Sequence, residues 1–153
     1  VPNAGQICTH TTPRLANDYY NEVPYVRVFT DGSVLFPDSL TCATGGWAVY
    51  YGPAHPNNHS DGLRSVHSSS FRAEARAVLH AMLHAACHTL ICTDCKGVIR
   101  WCHRQQDEQS RATTRMGISR KYIANLIRQQ PCDWFKFNWV PSHLEDPRST
   151  NGR

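Results

Sequence analysis

Three acidic residues stand in contexts suited to metal-assisted chemistry on phosphates. Asp31 lies in Val26-Arg27-Val28-Phe29-Thr30-Asp31-Gly32-Ser33, Glu74 in Ser70-Phe71-Arg72-Ala73-Glu74-Ala75, and Asp94 in Leu90-Ile91-Cys92-Thr93-Asp94-Cys95. The first and third close runs that read as buried strands, and the second sits on a helix between them. Carboxylates at strand ends beside a helical carboxylate make a hard-oxygen site suited to Mg²⁺. Singly, each has an ordinary explanation. Asp-Gly-Ser starts turns, a glutamate near a helix start is favoured by the dipole, and a strand-ending aspartate caps the next helix. Taken jointly they are more informative, because strand ends in α/β sheets are where ligand sites form.

The elements that must position these groups follow from periodicity. Tyr25 to Thr30 alternates and is rich in β-formers, and Gly45 to Tyr51 reads as a second strand ended by Gly52-Pro53. His55 to Gly62 reads as a turn, with a short third strand over Leu63 to His67. Phe71, Ala75, Val78, Leu79, Met82, Leu83 and Ala86 recur at helical steps, so a helix is expected from Phe71 to His88, capped by one of the serines 68 to 70. Glu74 then falls on or beside the buried face, where an acidic side chain needs a reason. Leu90 to Thr93 is a fourth strand, and Lys96 to about Arg104 a short helix. A further helix runs from Ser119 to Gln130, and Phe135 to Val140 is the last strand. The order β-β-β-α-β-α-α-β predicts an α/β fold, a mixed sheet with helices packed on it.

At 153 residues the chain fits one domain. Residues 1–24 are polar and turn-rich and read as a tail or linker, with the folded domain over 25–153. No apolar run approaches the ~20 residues of a membrane span, so no membrane partner is expected. The net charge is only +4, yet the segment Lys96–Lys121 holds seven basic residues against Asp107 and Glu108. Such a strip is the electrostatic footprint of a phosphate-backbone binder, and equally of a solvated helix face. The seven cysteines lack the spacing of a secreted disulfide framework. They favour a reducing, intracellular compartment, the cytoplasm or nucleus.

Phe29-Thr30-Asp31-Gly32-Ser33, Gly45-Gly46-Trp47-Ala48-Val49, Phe71-Arg72-Ala73-Glu74-Ala75, Cys92-Thr93-Asp94 and Trp139-Val140-Pro141-Ser142-His143 occur in the order and at roughly the spacing of one family. Over residues 25–153 the chain resembles ribonuclease H type 1. The resemblance implies an RNase H-like fold, a five-stranded mixed sheet with helices on both faces. It implies hydrolysis of the RNA strand of RNA–DNA hybrids, with two Mg²⁺ ions (Mn²⁺ as an alternative), leaving 5′-phosphate and 3′-hydroxyl ends. Asp31 would bridge the ions, Glu74 and Asp94 would complete their shells, and His143 would position or shuttle protons. Ser33, Ser70, Arg72, Lys96 and Asn151 are the implied substrate contacts. Selection for RNA would rest on 2′-hydroxyl contacts. The opening at Val1 and the tail-like start resemble an RNase H domain taken from a reverse-transcriptase polyprotein of a retroelement.

The family pattern ends on a further metal-binding Asp a few residues after Asn151, and the chain stops at Arg153. Truncation before that Asp, together with the C-terminal helix, is one reading. Substitution by Asp146 is the other. Weak cleavage by this chain alone is therefore expected. Two rival functions stay open at this stage. One is a non-catalytic RNase H-like nucleic-acid-binding module. The other is a zinc or redox module around Cys92 and Cys95, with His84, Cys87, His88, Cys102 and His103 near in sequence.

Overall fold

The computed structural model describes residues 17–20, 22–35, 44–63, 69–107, 118–131 and 133–141. The strands are β1 (Asn17–Tyr20), β2 (Val23–Leu35), β3 (Thr44–Tyr50), β4 (His59–Leu63), β5 (Thr89–Thr93) and β6 (Phe135–Trp139). The helices are α1 (Ser70–Leu83), α2 (Lys96–Gln106) and α3 (Ile118–Gln129). Five strands lie in the order β4-β3-β2-β5-β6, and β1 adds a short pairing to β2. The β4-β3-β2 side is antiparallel, whereas β2-β5 and β5-β6 are parallel. The mixed sheet expected from the element order is the sheet observed.

The central strand is β2. Val26, Val28, Thr30 and Gly32 share one side of its pleat, which faces α1; Tyr25, Arg27, Phe29, Asp31 and Ser33 share the other. Val26, Val28, Trp47, Val49, Ile91, Phe135 and Phe137 join residues of all three helices in one buried cluster. Among the described residues the helices therefore crowd one face, not the two faces expected. A smaller cluster of Tyr25, Leu90 and Cys92, packed by Val23 and Val140, marks the opposite face. There Phe29 and Tyr50 are cross-strand partners and both are exposed.

Several boundaries differ from the sequence reading, each for a local reason. The first strand does not end at Thr30. Antiparallel pairing with β3 carries it through Asp31 and Gly32 to Leu35, opposite Thr44, so ladder bonds override the turn chemistry of Asp-Gly-Ser. Part of the segment read as a tail, Asn17–Tyr20, pairs with Val23–Val26. The third strand is His59–Leu63 and not Leu63–His67, whose residues 64–67 lie outside the described residues. Asn58 sets that start: its side-chain oxygen accepts the Tyr51 N–H at 2.7 Å and its amide donates to the Gly52 carbonyl at 2.7 Å. A side chain thus continues the β3 ladder into the turn, and polar His-Ser-Asp follows as an exposed edge strand. The first helix stops at Leu83 and not His88. The His84 N–H closes it on the His80 carbonyl at 3.2 Å, and the Ala85 N–H on the Met82 carbonyl at 3.3 Å. His88 already engages the sheet, its carbonyl accepting the Val26 N–H at 2.9 Å.

A stack of imidazoles joins α1 to the β4 edge. The His80 ring lies 4.9 Å from His59 and 4.1 Å from His84, while Trp47 packs 4.8 Å from His80 and carries the Arg76 guanidinium at 4.4 Å. Burial first, and then the neighbouring His84, His59 and Arg76 charges, push the His80 pKa down to about 4. The unfolded chain therefore takes up this proton before the folded one. The stability tied to a neutral His80 is whole above pH 6.5, the ordinary value, and is lost as pH falls toward 4. We expect the thermal midpoint of a His80→Phe variant to fall less than that of the parent between pH 7 and pH 4.5. Identical pH profiles would show that the stack does not respond to acid.

Candidate metal centre

Asp31, Glu74 and Asp94 come together. One carboxylate oxygen from each lies within 4.8 Å of the others, and among the described residues this is the one such group of three acidic, histidine or cysteine side chains. Register explains the convergence. In the parallel β2-β5 pair, Thr30 is opposite Thr93, so Asp31 and Asp94 are the next residues along each strand. Helix α1 then brings Glu74 over the same point.

The helix can reach that point only because residue 32 has no side chain. A Cβ on Gly32 would fall 2.4 Å from the Ala73 carbonyl carbon and 2.5 Å from the Glu74 nitrogen. These contacts are with main chain and cannot be relieved by a rotamer change. The Gly32 N–H also donates to Asp31 Oδ1 at 2.9 Å. The start of α1 is fixed by Ser69, whose hydroxyl accepts the Arg72 N–H at 3.2 Å. Gly32→Ala should displace α1 and cost about 3 kcal/mol of stability, at the upper end of overpacking penalties. Chemical denaturation is the check; a loss below about 0.5 kcal/mol would contradict so tight a contact.

The ordinary explanations of the three carboxylates do not hold here. Asp31 is inside a strand rather than a turn. The first turn of α1 contains no acidic residue, and Glu74, beyond it, is 5 % exposed. The N-cap of α2 is Cys95, without a side-chain cap bond, so the Asp94 side chain is not its cap. Glu74 accepts a bond from the Thr93 hydroxyl at 3.3 Å. Burial first, then Asp94 and then Asp31, raise its pKa to about 8, against the weaker opposing pull of the Gly32 N–H and Thr93 hydroxyl. Without a cation the burial and the two neighbouring carboxylates favour the protonated form of Glu74. A divalent cation would remove the repulsion that holds the proton there. The hard-oxygen donor set and the open coordination space beside exposed Asp31 fit Mg²⁺.

Other residues fill out the surroundings. An open depression of about 300 Å³ next to Asp31 is lined by Ser33, Gly46, Ser60 and Asp61 among others. Ser33 is thus placed at the site. Ser70 and Arg72 are exposed in the first turn of α1, and Lys96 is exposed at the start of α2 with its ammonium 4.8 Å from the Trp139 ring. His143, Asp146 and Asn151 lie outside the described residues. So do Arg111 and Arg115 of the basic strip, whereas its Arg100, Arg104 and Lys121 are exposed on α2 and α3. Cys92 and Cys102 are buried, and Cys95 is partly so. They belong to no group of three metal-ligating side chains among the described residues, which leaves the zinc reading without a built site. Sequence reasoning assigned no role to Thr93, whose hydroxyl donates to Glu74 and accepts the Cys95 N–H at 3.1 Å. Its signal was present, a polar residue ending an apolar strand just before an acidic one.

With fold and site defined, the class is that of α/β domains carrying an acidic centre at the ends of parallel strands. The RNase H family model matches residues 24–152, and the chain belongs to that family. A search of curated proteins gave no match. The fold is similar to a foamy viral protease-reverse transcriptase in complex with dsDNA, at 20 % identity and TM-score 0.58 over 84 % of this chain and 86 % of that one. It is also similar to the foamy viral protease-reverse transcriptase in complex with an RNA/DNA hybrid, at 15 % identity and TM-score 0.60, covering 95 % of this chain and 21 % of the other. The PFV RNase H domain in solution matches at 20 % identity and TM-score 0.56 over 76 % and 79 % of the two chains.

The raised Glu74 pKa has a measurable sign. Between pH 4.5, the ordinary value, and about 8 the folded chain holds a proton that the unfolded chain releases. Its contribution to stability is therefore whole below 4.5 and lost as pH rises through 8. In EDTA at pH 8.5, Glu74→Gln should raise the thermal midpoint by roughly 2–4 °C, the response of a domain this size to about 1 kcal/mol. It should also weaken the stabilisation that Mg²⁺ gives the parent. A variant that is destabilised in EDTA would refute the electrostatic account.

Proposed function

We propose that this chain is a metal-dependent endonuclease that hydrolyses the RNA strand of RNA–DNA hybrids. The observation that carries this reading is the convergence of Asp31, Glu74 and Asp94 within an RNase H-family fold. Bound Mg²⁺, in a two-ion arrangement, would supply an activated water and stabilise the leaving 3′-oxygen. The chain's own residues hold and orient. Asp31 is carried by strand β2, paired there with β3. Glu74 gives up its proton when cations arrive, and Asp94 closes the third side. His143 is assigned proton handling and Asp146 is the in-chain option for a fourth ligand, both by resemblance. Ser33, Ser70, Arg72, Lys96 and Asn151 are assigned to the substrate. The exposed positions of Ser33, Ser70, Arg72 and Lys96 support this.

The hybrid is favoured as substrate because one fold neighbour is a reverse transcriptase in complex with an RNA/DNA hybrid. The foamy viral neighbours likewise support a place beside a reverse transcriptase in a retroelement polyprotein. The exposed cations of α2 and α3 suit a phosphate backbone, and binding should weaken as salt rises. Cys87, Cys92, Cys95 and Cys102 are not joined in disulfides, which suits a reducing, intracellular compartment. No helix among the described residues is long and apolar enough to cross a membrane.

The test is single-turnover cleavage of an end-labelled hybrid by the 153-residue chain and by Asp94→Asn, with MgCl₂ and with EDTA. We expect Mg²⁺-dependent cuts in the RNA strand with 5′-phosphate ends, reduced about 100-fold or more by the substitution. Equal cleavage by both proteins would remove Asp94 from the site. A hybrid that is bound and never cut would favour the non-catalytic binding module.

A further inference from the structure

The turn that carries Asp94 is held from several sides, and one of its supports is an exposed tryptophan. Trp139 lies opposite Thr93 in the parallel β5-β6 register. Its indole Nε1–H donates to the Asp94 carbonyl at 3.1 Å. One residue earlier, the Thr93 carbonyl accepts the Val140 N–H at 3.0 Å. One residue later, the Cys95 N–H donates to the Thr93 hydroxyl at 3.1 Å. The main chain on both sides of the Asp94 Cα is thereby tied down. Packing does not explain Trp139. Phe135 and Phe137 on the same side of β6 are buried, whereas Trp139 is 42 % exposed. Its exposed ring carries the Lys96 ammonium at 4.8 Å, a contact typically worth about 0.5–1 kcal/mol at an exposed site.

We propose that Trp139 is a positioning residue for the Asp94 carboxylate. It acts through the Asp94 main chain and steadies Lys96, on the far side of the turn, with its ring. This rests on the metal reading of the site. Mg²⁺ demands a nearly fixed octahedral arrangement, so a carboxylate on a loose turn binds it poorly. Of the three acidic residues only Asp94 sits outside regular structure, and it is the one in need of an external brace. The Trp139 N–H stands one step behind the ligand, where substitutions typically cost 10- to 100-fold in metal affinity.

The experiment uses the ¹⁵N-labelled 153-residue chain and Trp139→Phe, which keeps a ring for Lys96 and removes the donor. In the parent, the indole cross-peak absent from Trp139→Phe should shift on Mg²⁺ titration with the same midpoint as the Asp94 amide. Calorimetry should show Mg²⁺ bound about tenfold more weakly by the variant, with hybrid affinity in EDTA unchanged. Lys96→Gln should do the converse, lowering hybrid affinity and its salt dependence while leaving Mg²⁺ affinity alone. Parent-like Mg²⁺ affinity in folded Trp139→Phe overturns the proposal. So does an unmoved indole peak, which decides the matter even if the variant does not fold. Asp94→Asn separates the two levels. If it binds Mg²⁺ like the parent, the carboxylate centre itself is wrong; if it does not while Trp139→Phe does, only the brace is wrong.

Discussion

Helix α1 rests on β2 at a point where the strand offers only a hydrogen, and the acidic centre exists because of that contact. With any Cβ at position 32, the Ala73 and Glu74 main chain would have to withdraw, and the Glu74 carboxylate with it. The contact also lets Ala73, Ala77 and Ala81 sink fully out of solvent. Small residues on the helix and none on the strand bring two backbones together where bulkier pairs would hold them apart. The position of the Glu74 carboxylate is thus set by packing, and the hydrophobic cluster behind α1 supplies the free energy that holds it there.

That free energy works against electrostatics. Three carboxylates within 4.8 Å repel, and one of them is buried. Burial, and then repulsion from Asp94 and Asp31, raise the Glu74 pKa to about 8, so the conflict favours a proton on Glu74 when no cation is present. Thr93 moderates the same conflict, its hydroxyl donating to Glu74 while accepting from the turn beyond Asp94. One side chain therefore couples the helical and the strand-end ligands. On the proposed reading a cation would complete an arrangement the fold has already prepared, since the charge conflict is built into the chain itself.

The three converging carboxylates and the element order were legible in the sequence because both depend on local pattern: acidic residues ending β-rich runs, and helical spacing of apolar residues from Phe71 onward. Local pattern misplaced what depends on partners. The polar edge strand His59–Leu63 has little β pattern of its own, and its pairing comes from β3 and the Asn58 side chain. The continuation of β2 through Asp-Gly-Ser likewise comes from β3. Helix α1 looked longer because Ala86 keeps the helical spacing, whereas the chain must leave the helix in time for His88 to meet Val26. The roles of Thr93 and Trp139 are invisible to spacing arguments, since each depends on which strand lies beside β5.

The three carboxylates differ in how firmly the fold holds them. Asp31 is on a strand paired with β3, and the β2-β5 ladder ends at the residue before it. Glu74 is on a helix sealed against the core. Asp94 is on a two-residue link between β5 and α2, where the backbone has left one ladder and not yet entered the next. Hydrogen bonds from outside the link must supply what regular structure supplies to the other two. They come from Trp139 at the end of β6, from Val140 just after it, and from the Thr93 side chain. The last strand of the sheet therefore contributes to the acidic centre without offering it a ligand. A centre that needs fixed geometry at a strand end requires neighbouring chain that reaches past that end, and Val140, the residue just after β6, meets this by bonding the Thr93 carbonyl.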